Sequence, residues 1–520
     1  MFLLLPLLLS TLLHFTFVQS VKPFGTQAVK IWQLQQRNKP TTLIDAAQSL
    51  PSGIVEGTFT QPLDHFNPKN TFTFEQHYWV NPTFYKEGGP VILIDGGEDS
   101  GLDRLPYIVT GVGAKLANAT GGLALVLEHR YYGQSIPVAN FSTDSLRWLT
   151  NDQAFADSAN FLQHVNLTTS TGIQGDFTAP KRPYIYYGGS YAGARSAIMK
   201  VKYPELVFGA ISSSGVSFAT IPLWQYGDVV RNATPDCSAA VSKAIETVNL
   251  ALERPELNSE LKEMFGLTGL ADDDFGSTLT FNLGGWQNHN WDPSIDEDDW
   301  TPFCELIATK LSNTSAQSGT LGNLEVGYEF LNYANYIKNE LVPLCGDESI
   351  EECFGTTNST QFQADDLSQT WRSWQFQVCT AWGFFINAPP ANIPPIIPNS
   401  VTVPYLAKIC KQAYPPGKFF QVPEEPDVES VNKYGGLNIA ADRLAIIGGE
   451  FDPWRPATPE SSYANLRPRE DTILRPFKLI PGAVHHWDEN GLEDTSAEPP
   501  EIQAIHNAEI AFVQEWLKEL

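Results

Sequence analysis

The chain has 520 residues, 42% of them hydrophobic and 12% aromatic, which is enough to bury a large core and excludes a disordered or low-complexity protein. Lys and Arg number 33 against 59 Asp and Glu, a formal charge of −26. Such a chain is repelled by phosphate backbones and anionic membrane surfaces, so nucleic acid is excluded as a partner class.

In chain order, residues 1–21 carry no charged side chain, and the run ends in Val18-Gln19-Ser20. It reads as a secretory signal peptide cut after Ser20, although no Lys or Arg precedes the apolar stretch. An uncleaved anchor is the alternative, but Pro6 and His14 interrupt the apolar core. No other stretch approaches about 18 consecutive apolar residues, so no membrane span is expected after cleavage. The predicted destination is outside the cell, or a vacuolar or lysosomal compartment reached by the same route.

Residues 71–80 (TFTFEQHYWV) alternate and predict a half-exposed strand. Near-continuous apolar runs follow at 90–97, 123–130, 183–190 and 206–215, the pattern of strands covered on both faces. Helical patterns at 152–165 and 191–204 lie between them, which predicts an α/β doubly wound core. The texture changes near 220. From there to about 435 come a helical pattern at 237–253, Pro- and Trp-rich loops and all six cysteines (Cys237, Cys304, Cys345, Cys353, Cys379, Cys410). Strand-like runs return at 444–452 and 477–486, and an amphipathic helix at 502–520 closes the chain. The economical partition is a leader at 1–20, an α/β domain in two blocks at 21–219 and 436–520, and a mostly helical domain inserted at 220–435.

An even cysteine count in an exported chain predicts up to three disulfides, all stapling the inserted segment, with fifteen connectivities open. No CxxC pair occurs, and no metal or cofactor is expected. Residues 295–300 (IDEDDW) lack the spacing of a calcium loop, and no P-loop or dinucleotide fingerprint is present. N-x-[ST] sequons stand at Asn118, Asn140, Asn166, Asn232, Asn313 and Asn358, expected glycosylation sites in a secreted chain.

The chemistry concentrates at PYIYYGGSYAGARSA. A strand-like run ends at Gly188-Gly189, Ser190 follows, and a helical pattern begins at once. This is the context of a nucleophile elbow, where a sharp turn exposes the serine beside a helix N-terminus that favours a developing oxyanion. Ala192 stands where the strict pattern has glycine. A serine needs a base and a group that orients it, and in this architecture they follow in the order Ser, Asp, His at later strand ends. Asp452 follows one apolar run and His485-His486 follow the next. No other histidine combines a post-strand loop with a position after Asp452.

The sequence resembles the prolyl carboxypeptidase and dipeptidyl peptidase II family of serine peptidases, which includes thymus-specific serine protease and fungal prolyl endopeptidases. The resemblance runs from FTQPLDHFNP (59–68) onward, through EHRYYGQSIP (128–137), LRWLTNDQAFAD (146–157), GGSYAG (188–193), WQFQVCTAWGFF (374–385), FDPW (451–454) and GAVHHWD (482–488). It implies an α/β-hydrolase fold with an inserted helical cap, and a catalytic Ser190, Asp452 and His485, with His486 a neighbour. WD follows the histidines where many relatives have LD. The oxyanion hole is expected to use the backbone N–H of Tyr191 and of Gly97. Glu98 is a candidate for binding a charged substrate terminus.

The resemblance implies hydrolysis on the carboxyl side of proline, by exopeptidase or endopeptidase action. An aromatic pocket suits a rigid, apolar ring. Trp374, Trp382 and Trp454 are the main candidates, with Trp371, Phe384 and Phe385 beside them. The expected partners are proline-containing peptides, and a homodimer is left open. A secreted esterase or lipase and a non-catalytic hydrolase-like binding protein are the competing readings. The net charge should raise the pKa of His485, so acid activity would need local desolvation or a nearby cation such as Arg130 or Arg195.

Overall fold

The computed structural model describes residues 29, 30, 32, 33, 50–310 and 318–520; the expected leader and the Asn313 sequon lie outside them. Eight strands form one sheet: β1 (Val55–Pro62), β2 (Thr73–Asn81), β3 (Val91–Asp95), β4 (Leu123–Leu127), β5 (Tyr184–Gly189), β6 (Gly209–Ser213), β7 (Leu444–Gly449) and β8 (Phe477–Ile480). Their spatial order is β1-β2-β4-β3-β5-β6-β7-β8. β2 runs antiparallel to β1 and β4, and every other pairing is parallel.

The central strands are apolar on both faces because helices cover both. All five positions of β3, β4 and β6 are buried. The crossovers carry α1 (Val112–Thr120), α2 (Asn151–His164) and α3 (Ser190–Lys202). The Thr150 side chain caps α2 by accepting from the Gln153 N–H, which sets where that helix starts. This strand order, with a helix springing from β5 at a serine, is the α/β-hydrolase fold.

Between β6 and β7 the chain leaves the sheet. Among the described residues, none from 214 to 443 adds a strand to it. That segment holds α4 (Pro235–Leu252), α5 (Trp300–Ala308) and α6 (Trp371–Gln377). It also holds three disulfides, Cys237–Cys304, Cys345–Cys353 and Cys379–Cys410. The first ties α4 to α5. The last helix, α7 (Pro500–Leu517), returns to pack on α1. Among the described residues no helix is long and apolar enough to cross a membrane.

β1 is absent from the sequence-based expectations. Its burial alternates between exposed and half-buried and it holds few large apolar side chains, so it carries little periodic signal. The strand runs foreseen at 206–215 and 477–486 are trimmed to β6 and β8, because their C-terminal residues form the loops that build the site.

Candidate active site

β5 ends at Gly189 and α3 begins at Ser190, whose φ is +57°. A non-glycine residue in the left-handed region costs roughly 1–2 kcal/mol and persists only when its surroundings hold it there. Here the neighbours must be small. A Cβ on Gly188 would lie 2.1 Å from the Ala192 carbonyl oxygen, one on Gly189 2.2 Å from Glu489 Oε1, and one on Gly193 2.6 Å from the Ser213 carbonyl oxygen. Ala192 departs from the strict motif, and the compensation sits opposite. Gly97 has φ +61°, and a Cβ there would come within 3.1 Å of the Ala192 methyl.

Asp452 follows β7 and His485 follows β8. Nδ1 of His485 lies 3.0 Å from both carboxylate oxygens of Asp452. The Trp454 N–H donates to Asp452 Oδ1 at 2.8 Å and fixes that carboxylate. Asp452 and His485 are only 1% and 3% exposed. Among the described residues Nε2 of His485 is buried without a hydrogen-bond partner, and His485 lines the same cavity, of about 760 Å³, as Ser190. The fold thus brings Ser190, Asp452 and His485 together from three strand ends, with Ser190 and His485 on the cavity and Asp452 on the Nδ1 side of the ring. It leaves Nε2 as the atom able to take a proton.

Burial pushes the His485 pKa below the ordinary 6.5; Asp452 opposes this, and the adjacent His486 assists it. The shift is opposite in sign to that expected from the net charge. Arg130 and Arg195 do not supply it, since they are tied to Asp157 and Asp95 at 2.5 and 2.8 Å. His486 behaves differently. Burial pulls its pKa down, but Glu489, whose Oε2 is 2.9 Å from Nδ1, prevails and holds it above the ordinary value. Glu489 lines the cavity and was not foreseen. Its one sequence signal is its place three residues after His486.

Tyr191 is the second residue of α3, so its backbone N–H has no intrahelical acceptor. Its hydroxyl accepts from Gln377 Nε2 at 2.8 Å and lies 3.1 Å from His129 Nε2. The Gly97 N–H is a correction to the expected oxyanion hole: it donates to Asp95 Oδ1 at 2.9 Å. Asp95 also accepts from Arg195 Nε at 2.8 Å and from the Tyr186 hydroxyl. The buried carboxylate therefore fastens the loop after β3 to α3 and consumes the Gly97 donor.

Of the proposed aromatic wall, Trp374, Phe384 and Trp454 line the cavity. Trp382 does not. It is 0% exposed and packs edge-on against Tyr191, with ring centroids 5.2 Å apart, so its part is to brace the elbow rather than to meet substrate. Trp371 and Phe385 are likewise buried outside the cavity lining. Glu98 lines the cavity and is half-buried. The EHRYYG segment is scaffolding. Arg130 pairs with Asp157 and donates to the Leu63 and Trp148 carbonyls, and Glu128 accepts from the Gly101, Gln134 and Ser135 N–H groups. Asn118, Asn166, Asn232 and Asn358 are exposed, and Asn140 is half-buried.

The family described as Serine carboxypeptidase S28 matches residues 61–507, a span that contains the elbow and both partner loops. The chain belongs to the serine carboxypeptidase S28 family. As an S28 protein it is a serine-type peptidase. It is 37% identical over 515 residues to a protein of Arthroderma benhamiae named "Probable extracellular serine carboxypeptidase", covering 93% of this chain and 70% of that one. It is 28% identical to "Serine protease vicPa" of Bipolaris victoriae, over 86% of each chain. It is 27% identical to the thymus-specific serine protease of Mus musculus, over 89% of this chain and 88% of the other.

Proposed function

We propose that this S28 peptidase is exported and cleaves peptide bonds on the carboxyl side of proline, with Ser190 as nucleophile, His485 as general base and acid, and Asp452 as the group that orients it. The observation that carries the reading is the unpartnered, buried Nε2 of His485 in the cavity that also holds Ser190 in its strained backbone.

Ser190 Oγ attacks the scissile carbonyl carbon while Nε2 takes its proton. Asp452 keeps the other ring proton on Nδ1 and stabilises the imidazolium. The oxyanion forms at the N-terminus of α3, where the Tyr191 N–H meets it. Collapse breaks the C–N bond, and His485 passes its proton to the leaving amine. Water, deprotonated by His485, then attacks the Ser190 ester and releases the acid. The lowered pKa of His485 keeps this base unprotonated into mildly acid solution.

Proline preference is supported by Trp374, Phe384 and Trp454, which offer flat apolar faces to a rigid ring. We read residues 220–435 as an inserted cap, because Gln287, Trp374 and Phe384 from it line the cavity above the elbow. Export is supported by the leader-like residues 1–20, the three disulfides and the word "extracellular" in one relative's name.

The test is a panel of blocked and unblocked proline peptides, with products identified by mass and a Ser190→Ala control. Cleavage after proline that disappears in the control is the expected result. Cleavage only at other residues would reject the substrate class, and an active Ser190→Ala protein would reject the nucleophile.

A further inference from the structure

Trp454 binds the catalytic loop to the inserted segment. Its backbone N–H holds Asp452 Oδ1 at 2.8 Å, and its ring centroid lies 6.5 Å from that of His485. Its indole N–H donates to Gln287 Oε1 at 2.6 Å. An indole nitrogen can only donate, so the atom it meets must be the oxygen of the Gln287 amide, and the direction of that amide is settled. The Tyr226 hydroxyl donates to the same oxygen at 3.3 Å, and its ring packs edge-on against Trp454 with centroids 5.3 Å apart. Both bonds occupy the acceptor end of Gln287.

The donor end is left over. Gln287 lines the cavity together with Ser190, His485, Trp374, Phe384 and Trp454. Among the described residues its Nε2 meets no hydrogen-bond acceptor. The preceding residue, Trp286, is buried, and its indole N–H donates to the Phe451 carbonyl at 3.0 Å, next to Asp452. A freely turning glutamine would offer a ligand either end of its amide. This one is anchored through its oxygen and its neighbour, so what it offers the cavity is a pair of N–H donors. The substrate reading says which atom needs them. A proline ring held against Trp374, Phe384 and Trp454 carries on its nitrogen the carbonyl of the preceding residue. That nitrogen has no hydrogen, so the carbonyl oxygen is the one hydrogen-bonding atom of the linkage. An oxygen that leaves water for an apolar pocket without a donor weakens binding by about tenfold or more.

We propose that Gln287 is a specificity-determining residue whose side-chain N–H donates to the carbonyl oxygen of the residue before proline in the substrate. The proposal rests on the reading of the cavity as a proline site, and it names the atom that marks an internal X–Pro linkage. A proline at a free amino terminus bears a cationic imino group in place of that carbonyl. The Gln287 amide would then face it donor to donor, which disfavours it.

The test uses the full-length enzyme in neutral solution and three peptides that are identical from proline onward. The proline nitrogen carries an acetyl group in the first, a thioacetyl group in the second and no acyl group in the third. Sulfur is the weaker acceptor, so the wild type should show kcat/KM about tenfold higher for the acetyl than for the thioacetyl peptide. Gln287→Met removes the donor and should bring that ratio close to one. Gln287→Glu keeps an oxygen for the Trp454 indole but replaces the donor by an acceptor. It should abolish the ratio too, and raise the unblocked peptide at least tenfold relative to the acetyl one. A residue that merely braced Trp454 would lower all three rates together and leave the ratios where they were. A wild-type ratio near one, or a ratio that survives in either variant, overturns the proposal, and one folded variant is enough to decide. If the wild type cleaves neither acylated peptide, the proline reading itself falls, a failure distinct from an unmoved ratio.

Discussion

Glu460 offers the most quantitative test of how burial sets the behaviour of this protein. The residue is 7% exposed, and among the described residues neither carboxylate oxygen has a hydrogen-bond partner. It presses on β7, where a Cβ on Gly448 would lie 2.2 Å from Oε2. Burial pushes its pKa up to about 8; Arg455 opposes this, and Asp452 and Asp488 add to it. In the unfolded chain the group titrates near 4.5. Between those values the folded state holds a proton that the unfolded state releases, so this group's contribution is full below 4.5 and is lost as pH rises towards 8. At about 1.4 kcal/mol per unit, the loss between pH 5.5 and 7.5 is roughly 2–3 kcal/mol, a large share of the stability of a typical domain. Glu460→Gln keeps the shape and removes the titration. Chemical denaturation of both proteins across pH 5–8 should show a small difference at pH 5 that grows in favour of the variant by that amount at pH 7.5. Other titrating groups cancel in the comparison. Parallel stability profiles, or a variant weakest at pH 7.5, would refute the reasoning.

His485→Ala should lose roughly three or more decades of kcat while His486→Ala loses much less, as measured on a chromogenic proline peptide; the reverse ranking would move the base by one residue. The acid limb of kcat/KM should fall below pH 6.5, because burial lowers the His485 pKa, and a limb near or above 7 would contradict that environment. Gly189→Ala should abolish activity and lower the melting temperature, since its methyl would meet Glu489 Oε1 at 2.2 Å; a fully active variant would show that the Glu489 carboxylate is not held there. Replacing Cys379 and Cys410 by serine opens a loop with a sequence separation of 31 residues and should cost about 3–4 kcal/mol, read by denaturation. Activity should fall with it, because Cys379 lies two residues beyond Gln377, the donor to Tyr191.

Much of the sheet was legible because strand and helix periodicities are local, and the elbow was legible because Gly188, Gly189 and Gly193 flank Ser190 in the chain, although only the approach at Gly188, to the Ala192 carbonyl, is local; those at Gly189 and Gly193 come from Glu489 and Ser213. The order Ser190, Asp452, His485 follows the strand order of the fold, so it too could be read along the chain. What escaped depends on which way a side chain faces. Trp382 and Trp454 are both buried tryptophans near an apolar run, yet only Trp454 reaches the cavity. Gly97 was a sound donor until the Asp95 carboxylate, two residues earlier, turned back on it. The sign of the His485 shift makes the same point in energetic terms. A net charge of −26 acts through water and salt and fades over roughly 8 Å at physiological ionic strength, whereas desolvation acts on the ring itself. At 3% exposure the local effect prevails, with His486, its ring 4.3 Å away and its pKa held up by Glu489, reinforcing it. An acidic protein can therefore lower the pKa of its general base despite its net charge, provided that its fold buries that base away from its own surface charge.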